Sequence, residues 1–306
     1  RPLPGGCRLG PRPVDIHLAG LASMGAEVEL EGIAVTLRRK GPLHGVDFTL
    51  RLPSVGATMT LLMAACCAQG RTVLRGAARE PEIGDMIAFL CACGADISGY
   101  GTPILTVQGG RPLGGAVHAP LPDRIAAATY AAALAAAGGD IRITSCDPAL
   151  YGAFLQFLAQ TGVQIEKGPD WAGLVHDPAV PLRGGVQLCA DAWPAFATDT
   201  APLAAAVLLA AEGKSEIFDR LFPNRFACAA GFAAMGAEVT AKGRRLMIAG
   251  GSRLRAVTAP DLRGGAALLV AALGADGTTT LRDPGHIRRG YADLPGEIRR
   301  LGAEIG

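Results

Sequence analysis

Gly236-Ala237-Glu238-Val239 closes an alanine-rich stretch and opens a short alternating one, and the same four residues stand at Gly25-Ala26-Glu27-Val28. Glycine after a helical run supplies the left-handed backbone that ends a helix, and strict alternation after it reads as a half-buried strand. Working outward, Gly94, Gly162 and Gly302 each hold the same place after an apolar helical stretch. Gly70, Gly139, Gly213 and Gly277 form a second series, each expected to end a first helix and precede a β-rich stretch such as Thr72-Val73-Leu74, Ile141-Arg142-Ile143 or Glu216-Ile217-Phe218. Together they define one pattern four times: strand, helix, Gly turn, strand, second helix, Gly turn, β-hairpin. The repeats run about Val46–Gly109, Gly115–His176, Gly185–Gly250 and Arg253–Gly306, and Gly25 to Val28 marks the tail of a fifth, incomplete one. Internal repetition of this kind means that each piece buries its apolar face against its neighbours. The fold class expected is α+β (α/β), built from repeated βαβαββ units with helices covered by sheet, and no G-x-G-x-x-G supports a dinucleotide site.

The 306 residues are half hydrophobic and 18% charged, a composition for two ordinary cores and not for disorder. A net charge of +2 excludes a general nucleic-acid or membrane-surface role, so an anionic ligand must be met by locally placed cations. The longest apolar runs, Ala126 to Ala137 and Ala201 to Ala211, fall short of the roughly 20 residues of a membrane span and read as buried helices. Eight Cys at irregular spacing give neither a disulfide framework nor a zinc site, which points to a reducing cytoplasm. Cys66, Cys67, Cys91, Cys93 and Cys228 lie in apolar helical stretches and Cys146 and Cys189 in strand-like ones, all expected as small core residues.

Aligned by their glycines, the repeats place Ser54, Asp123-Arg124, Thr198-Asp199 and Asp261-Leu262-Arg263 at the start of each first helix. Ser and Asp there are explained by capping alone. Arg is not, because a cation opposes the positive end of the helix dipole. Arg79, Arg225 and Arg288-Arg289 repeat the oddity at the second helices. Arg clustered at helix N-termini suits a multiply charged anion such as a phosphate with a carboxylate; for Arg124, pairing with the neighbouring Asp is the alternative.

Pro4-Gly5-Gly6-Cys7-Arg8-Leu9-Gly10-Pro11-Arg12-Pro13-Val14-Asp15 resembles the active-site loop of the UDP-N-acetylglucosamine enolpyruvyl transferases. Pro53 to Thr58, Ala77 to Ile83, Pro122 to Ile125, Asn224-Arg225-Phe226, Asp261-Leu262-Arg263 and Arg289-Gly290-Tyr291 are similar to motifs of that family and stand in its order. The resemblance implies two inside-out α/β barrel domains of the enolpyruvyl transferase fold, here 1–121, with an upstream portion missing, and 122–306. It implies transfer of the enolpyruvyl group of phosphoenolpyruvate to the 3′-hydroxyl of UDP-N-acetylglucosamine with release of phosphate, the first committed step of peptidoglycan synthesis and hence of cell-wall growth, cell shape and division. No cofactor or metal is implied, nor nucleic acid or membrane insertion. Cys7 would be the proton donor and the thiol alkylated by fosfomycin, and Asp199 would orient or deprotonate the sugar hydroxyl. Arg12, Pro13, Val14, Asp15 and Ile16, with Ser54, Val55, Gly56 and Leu221, would bind the sugar nucleotide. Arg12, Arg263 and Arg289 would hold phosphoenolpyruvate. Leu52, Ala126, Pro223 and Arg288 depart from the family pattern, and a non-catalytic sugar-nucleotide-binding protein or a shikimate-pathway enolpyruvyl transferase are the alternatives. The family would also place a Lys-Asn pair and an Arg upstream, so that the chain as given is expected not to turn over.

Overall fold

The computed structural model describes residues 14–305 apart from 33, 253, 256–257, 260–264, 282–286 and 288–289. The chain divides into two compact units between Leu121 and Pro122, with Ala192–Pro194 grouped with the first.

The first unit opens on helix α1 (Asp15–Ser23) and the hairpin β1 (Glu27–Glu31) and β2 (Ala34–Arg38). A complete repeat follows: β3 (Asp47–Thr49), α2 (Val55–Cys67), β4 (Gly70–Arg75), α3 (Pro81–Ala92), β5 (Asp96–Ser98) and β6 (Ile104–Gly109). Its sheet runs β3-β4-β6-β5, with β3 parallel to β4 and the other pairs antiparallel. Alternate residues of the central strands, Thr72 and Leu74 on β4 and Leu105 and Val107 on β6, turn inward. They pack with Leu61 and Leu62 of α2 and Ile83 of α3 in one core.

In the second unit come α4 (Arg124–Ala137), β7 (Gly139–Thr144), a 3-10 turn Pro148–Tyr151, α5 (Gly152–Thr161), β8 (Gln164–Lys167) and β9 (Trp171–His176). Next are β10 (Gln187–Asp191), β11 (Phe196–Ala197), a 3-10 turn Thr198–Thr200, α6 (Ala201–Ala210), β12 (Ser215–Asp219), α7 (Ala229–Ala234), β13 (Val239–Lys242) and β14 (Arg245–Ile248). Among the described residues the last repeat contributes β15 (Thr258–Ala259), α8 (Gly265–Leu273), β16 (Thr280–Leu281) and α9 (Leu294–Arg300). The three first helices α4, α6 and α8 pack on one another. Helices so rich in Ala and Leu are apolar all round, which is a sequence that belongs inside; Leu203 to Leu209 are buried throughout. The sheets β7-β9-β8 and β11-β10-β12-β14-β13 keep one face for solvent, with Val175 and Met247 exposed on it. This is a helix-inside, sheet-outside arrangement.

The five second-helix glycines behave alike. At Gly25, Gly94, Gly162, Gly236 and Gly302 φ lies between +90° and +107°. In each case the next residue's N–H reaches five residues back, as in Ala26 to Leu21 (3.0 Å), Val163 to Leu158 (3.2 Å) and Ala303 to Ile298 (3.3 Å). These are Schellman turns, which satisfy the carbonyls left over at a helix end.

Consecutive repeats are also sewn together. The N–H groups of His44, Arg183 and Arg255 donate to the carbonyls of Met24 (3.0 Å), Thr161 (2.8 Å) and Met235 (2.8 Å), the residues just before three of those glycines. Immediately upstream, the carbonyls of Leu43, Leu182 and Leu254 accept from Gln69 (2.7 Å), Glu212 (2.7 Å) and Asp276 (3.0 Å), just past the first helices.

Three expectations need correction. Gly70, Gly139, Gly213 and Gly277 have positive φ but do not end the first helices, which stop earlier at Cys67, Ala137, Ala210 and Leu273; Gly70 and Gly139 are instead the first residues of β4 and β7. The repeat from Gly115 lacks its first strand: residues 111–123 are irregular and Val117 is fully exposed, because Gly-Gly and three prolines leave little side chain to pack and too few N–H groups for a ladder. Cys67, Cys91 and Cys189 are exposed, not core.

Candidate active site

In the first unit the start of α1 lies against the start of α2. A Cβ on Gly20 would fall 2.4 Å from Leu61 Cδ2, and one on Gly56 would fall 3.1 Å from His17 Nε2, so both glycines are what lets the two helices approach. That approach sets His17, in the first turn of α1, beside Gly56, in the first turn of α2. Ser54 caps α2, its hydroxyl accepting from Ala57 N–H at 3.3 Å. Asp15 Oδ2 accepts from Arg51 Nη2 at 2.8 Å and Nε at 3.1 Å, a two-point exposed pair. Ile16 is buried, its side chain spent on packing. His17, which the sequence did not single out, has its Nδ1 buried without a partner among the described residues, and desolvation holds its pKa below the ordinary value, partly offset by Asp15. Thr58 Oγ1 accepts from the buried N–H of Ala78 (3.0 Å), fixing the segment before α3 on α2.

The second unit carries Asp199, Leu221 and a network between them. Asp123 caps α4 as expected, Oδ1 accepting from Ile125 (2.8 Å) and Ala126 (3.0 Å). Asp199, its counterpart in the repeat, caps nothing: α6 starts without a side-chain cap, and the Asp199 side chain is 60% exposed. Its Oδ1 stands 3.0 Å from Arg225 Nη2. That same nitrogen donates to Thr198 Oγ1 at 2.8 Å, while Nε faces Asp219 Oδ2 at 3.5 Å. Asp219 is fully buried, and its other oxygen accepts from the N–H groups of Leu221 (2.8 Å) and Phe222 (2.7 Å). Arg225 lies over the Phe222 ring, 4.6 Å from its centre. The Tyr291 hydroxyl bonds Thr129 Oγ1 at 2.8 Å; burial raises its pKa, and the charges of Asp123 and Asp199 push the same way.

Of the cations expected to meet an anion, Arg225 is committed to internal carboxylates, Arg124 is buried and engaged, and exposed Arg79 donates to the Trp193 carbonyl at 3.3 Å. Cys7, Arg12, Pro13, Asp261, Arg263, Arg288 and Arg289 lie outside the described residues. Asp219 was missed in the sequence, where an acid at the end of a strand looks like an ordinary turn residue, and Thr198 was noted only for its place beside Asp199. No helix among the described residues is long and apolar enough to cross a membrane.

The family model for EPSP synthase (3-phosphoshikimate 1-carboxyvinyltransferase) matches residues 2–298. The UDP-N-acetylglucosamine 1-carboxyvinyltransferase of Cellvibrio japonicus is 40% identical over 304 residues, covering 99% of this chain and 72% of that protein. The protein of the same name from Chelativorans sp. is 40% identical over 311 residues, covering 99% and 71%. Among solved structures, the enolpyruvyl transferase NikO from Streptomyces tendae superimposes with a TM-score of 0.83 at 27% identity, over 95% of this chain and 72% of that one. An EPSP synthase from Acinetobacter baumannii gives 0.71 at 19% identity, over 97% and 72%, a likeness of fold alone.

Proposed function

Because the chain belongs to the enolpyruvyl (1-carboxyvinyl) transferase family, we propose that it serves the transfer of the enolpyruvyl group of phosphoenolpyruvate to the 3′-hydroxyl of UDP-N-acetylglucosamine. The observation that carries this acceptor, over the shikimate one for which the family model is named, is the 40% identity to two transferases of that name along 99% of the chain. The reaction adds and then eliminates. The sugar hydroxyl oxygen bonds to C2 of phosphoenolpyruvate as C3 takes a proton, giving a tetrahedral ketal. C3 then gives up a proton, the C2–O bond to phosphate breaks, and the double bond returns. Such a course needs an acid, a base and fixed positive charge where the phosphate leaves.

In this reading Asp199 is the base or orienting group. Its exposure and its single Arg225 contact suit a carboxylate that must face a hydroxyl and still keep its charge. The starts of α1 and α2 would offer backbone N–H groups to a diphosphate, as helix N-termini do. The proposed nucleotide contacts there are Val14, Asp15, Ile16, Ser54, Val55 and Gly56, with Leu221 packing on the sugar nucleotide. Cys7, as proton donor, with Arg12, Pro13, Arg263 and Arg289, completes the proposed set from outside the described residues. The reaction belongs in the cytoplasm, where both substrates are made, and supplies the cell wall. The test is phosphate release on mixing phosphoenolpyruvate with UDP-N-acetylglucosamine, run beside shikimate 3-phosphate as acceptor, for the 306-residue chain and for the chain with whatever its gene encodes upstream. Release that depends on the sugar nucleotide is expected. Release with shikimate 3-phosphate alone, or nucleotide binding without any release from either form, overturns the proposal.

A further inference from the structure

The inward positions of β12 are Ser215, Ile217 and Asp219, so a carboxylate stands at the end of a row that otherwise points into the core. An ionised group with no exposure must be paired and hydrogen-bonded or it destabilises the fold. Asp219 meets that demand fully at one oxygen only: Oδ1 closes a turn on the N–H groups of Leu221 and Phe222, while Oδ2 makes no hydrogen bond among the described residues and faces Arg225 Nε across 3.5 Å. A purely structural pair would end there. Here Arg225 extends a further contact to an exposed carboxylate, where an ion pair adds little to stability. That carboxylate, Asp199, has given up the capping bonds that Asp123 makes at the equivalent point of α4. Two carboxylates thus share one guanidinium, Asp199 at 3.0 Å and Asp219 at 3.5 Å, and only Asp199 is open to solvent.

We propose that Asp219 is a positioning residue for the transfer, holding the Asp199 carboxylate through Arg225 and the Leu221 wall through its own turn. This rests on the role given to Asp199 above. Asp219 shares the Arg225 cation with Asp199, so that Asp199 is steered by the guanidinium without being fully neutralised by it.

Two variants separate the two arms. Asp219→Asn keeps an oxygen for the Leu221 and Phe222 N–H groups but removes the charge facing Arg225. Its kcat should fall about tenfold or more, with KM for the sugar nucleotide changed less than about twofold. Asp219→Ala loses the turn as well, and should add a several-fold rise in that KM; Asp219→Glu, which restores the charge, should recover part of kcat. If kcat and KM per folded molecule match the parent in both Asn and Ala variants, Asp219 is merely structural and the proposal fails. The same variants are followed by NMR on the isotopically labelled protein, reading the Leu221 and Phe222 amides and the Asp199 side-chain carboxyl carbon. The amides should stay in place in the Asn variant and move in the Ala variant, and the Asp199 carbon should shift in both. Should the parent protein release no phosphate with these substrates, the functional reading fails and the NMR arm alone judges the coupling: an Asp199 signal indifferent to Asp219→Asn overturns it.

Discussion

Cys66 and Cys67 are neighbours on α2, yet one is buried and the other faces solvent. Burial pushes the Cys66 thiol up to about 11 and Cys228 up to about 12, and it raises Cys146, with Asp147 adding to the effect. Since the thiolate is the reacting form, iodoacetamide applied to the folded protein at about pH 8 should label Cys67, Cys91 and Cys189 and spare Cys66, Cys146 and Cys228. Peptide mapping checks this, and labelled Cys228 in native protein would contradict it. Histidine supplies the matching statement about pH. Burial lowers the pKa of His17 and of His176, the charges of Asp15 and Asp177 opposing it in turn. The folded state therefore resists a proton that the unfolded chain accepts. The stability contributed is fully present above the unfolded value of 6.5 and is lost as pH falls from there toward the lowered folded values. Urea midpoints should drop between about pH 7.5 and about pH 5.5, and the drop should shrink in a His17→Gln, His176→Gln double variant. The sequence could not separate these cases. The stretches around Cys66, Cys67 and Cys91 are apolar on nearly every side, so no periodicity marks which thiol looks outward.

At the scale of elements, the Schellman turns were the most legible feature, because only a residue without a Cβ sits easily at those angles. The cost of that requirement can be isolated at Gly302, where an added Cβ would meet nothing within 4 Å. Gly302→Ala should lower unfolding free energy by about 1 kcal/mol through backbone conformation alone. Gly109, at the end of the last strand of its repeat, is held by a different constraint, and Gly250, just past the last strand of another, is held by that constraint on top of a φ of +74°. A Cβ there would stand 2.2 Å from the carbonyl oxygens of Ala65 and Ala68, or 2.3 Å from those of Ala211 and Gly213. Alanine at either should cost more than twice as much as at Gly302, measured by denaturant midpoints. Position in a pattern foretold the first class of glycine. The second class depends on which backbone lies opposite, and that is a tertiary fact. The missing strand after Gly115 failed for a related reason: its place in the repeat was read from neighbours, while its own residues have little to pair with.

Across the whole molecule, the partners of a charged side chain are the part of the candidate site that the sequence displays least. Ser54, Gly56 and Asp199 stand at repeated positions in the sequence, whereas Leu221 enters only through the family resemblance. Arg225 was taken for an anion ligand because a cation beside a helix start needs a negative partner, and that need is real. Its partners are Asp199 and Asp219 of its own unit, a choice made by folding that no linear spacing displays.

The seams between repeats hold three backbone amides that belong to no regular element. The amides of His44, Arg183 and Arg255 lie outside the helices and hairpins, and a map of mobility drawn from element boundaries would class them with loops. Each, however, is tied to the end of the previous repeat's second helix, while the carbonyl beside it takes an amide from just past its own repeat's first helix. Freeing any one of them requires two repeats to part. In deuterated water these three amides should exchange as slowly as the inward amides of β4 and β12, orders of magnitude behind the open hairpin tip at Gly243. Exchange at the rate of that tip would mean that the repeats breathe one at a time; slow exchange means that each compact unit opens as a single cooperative body.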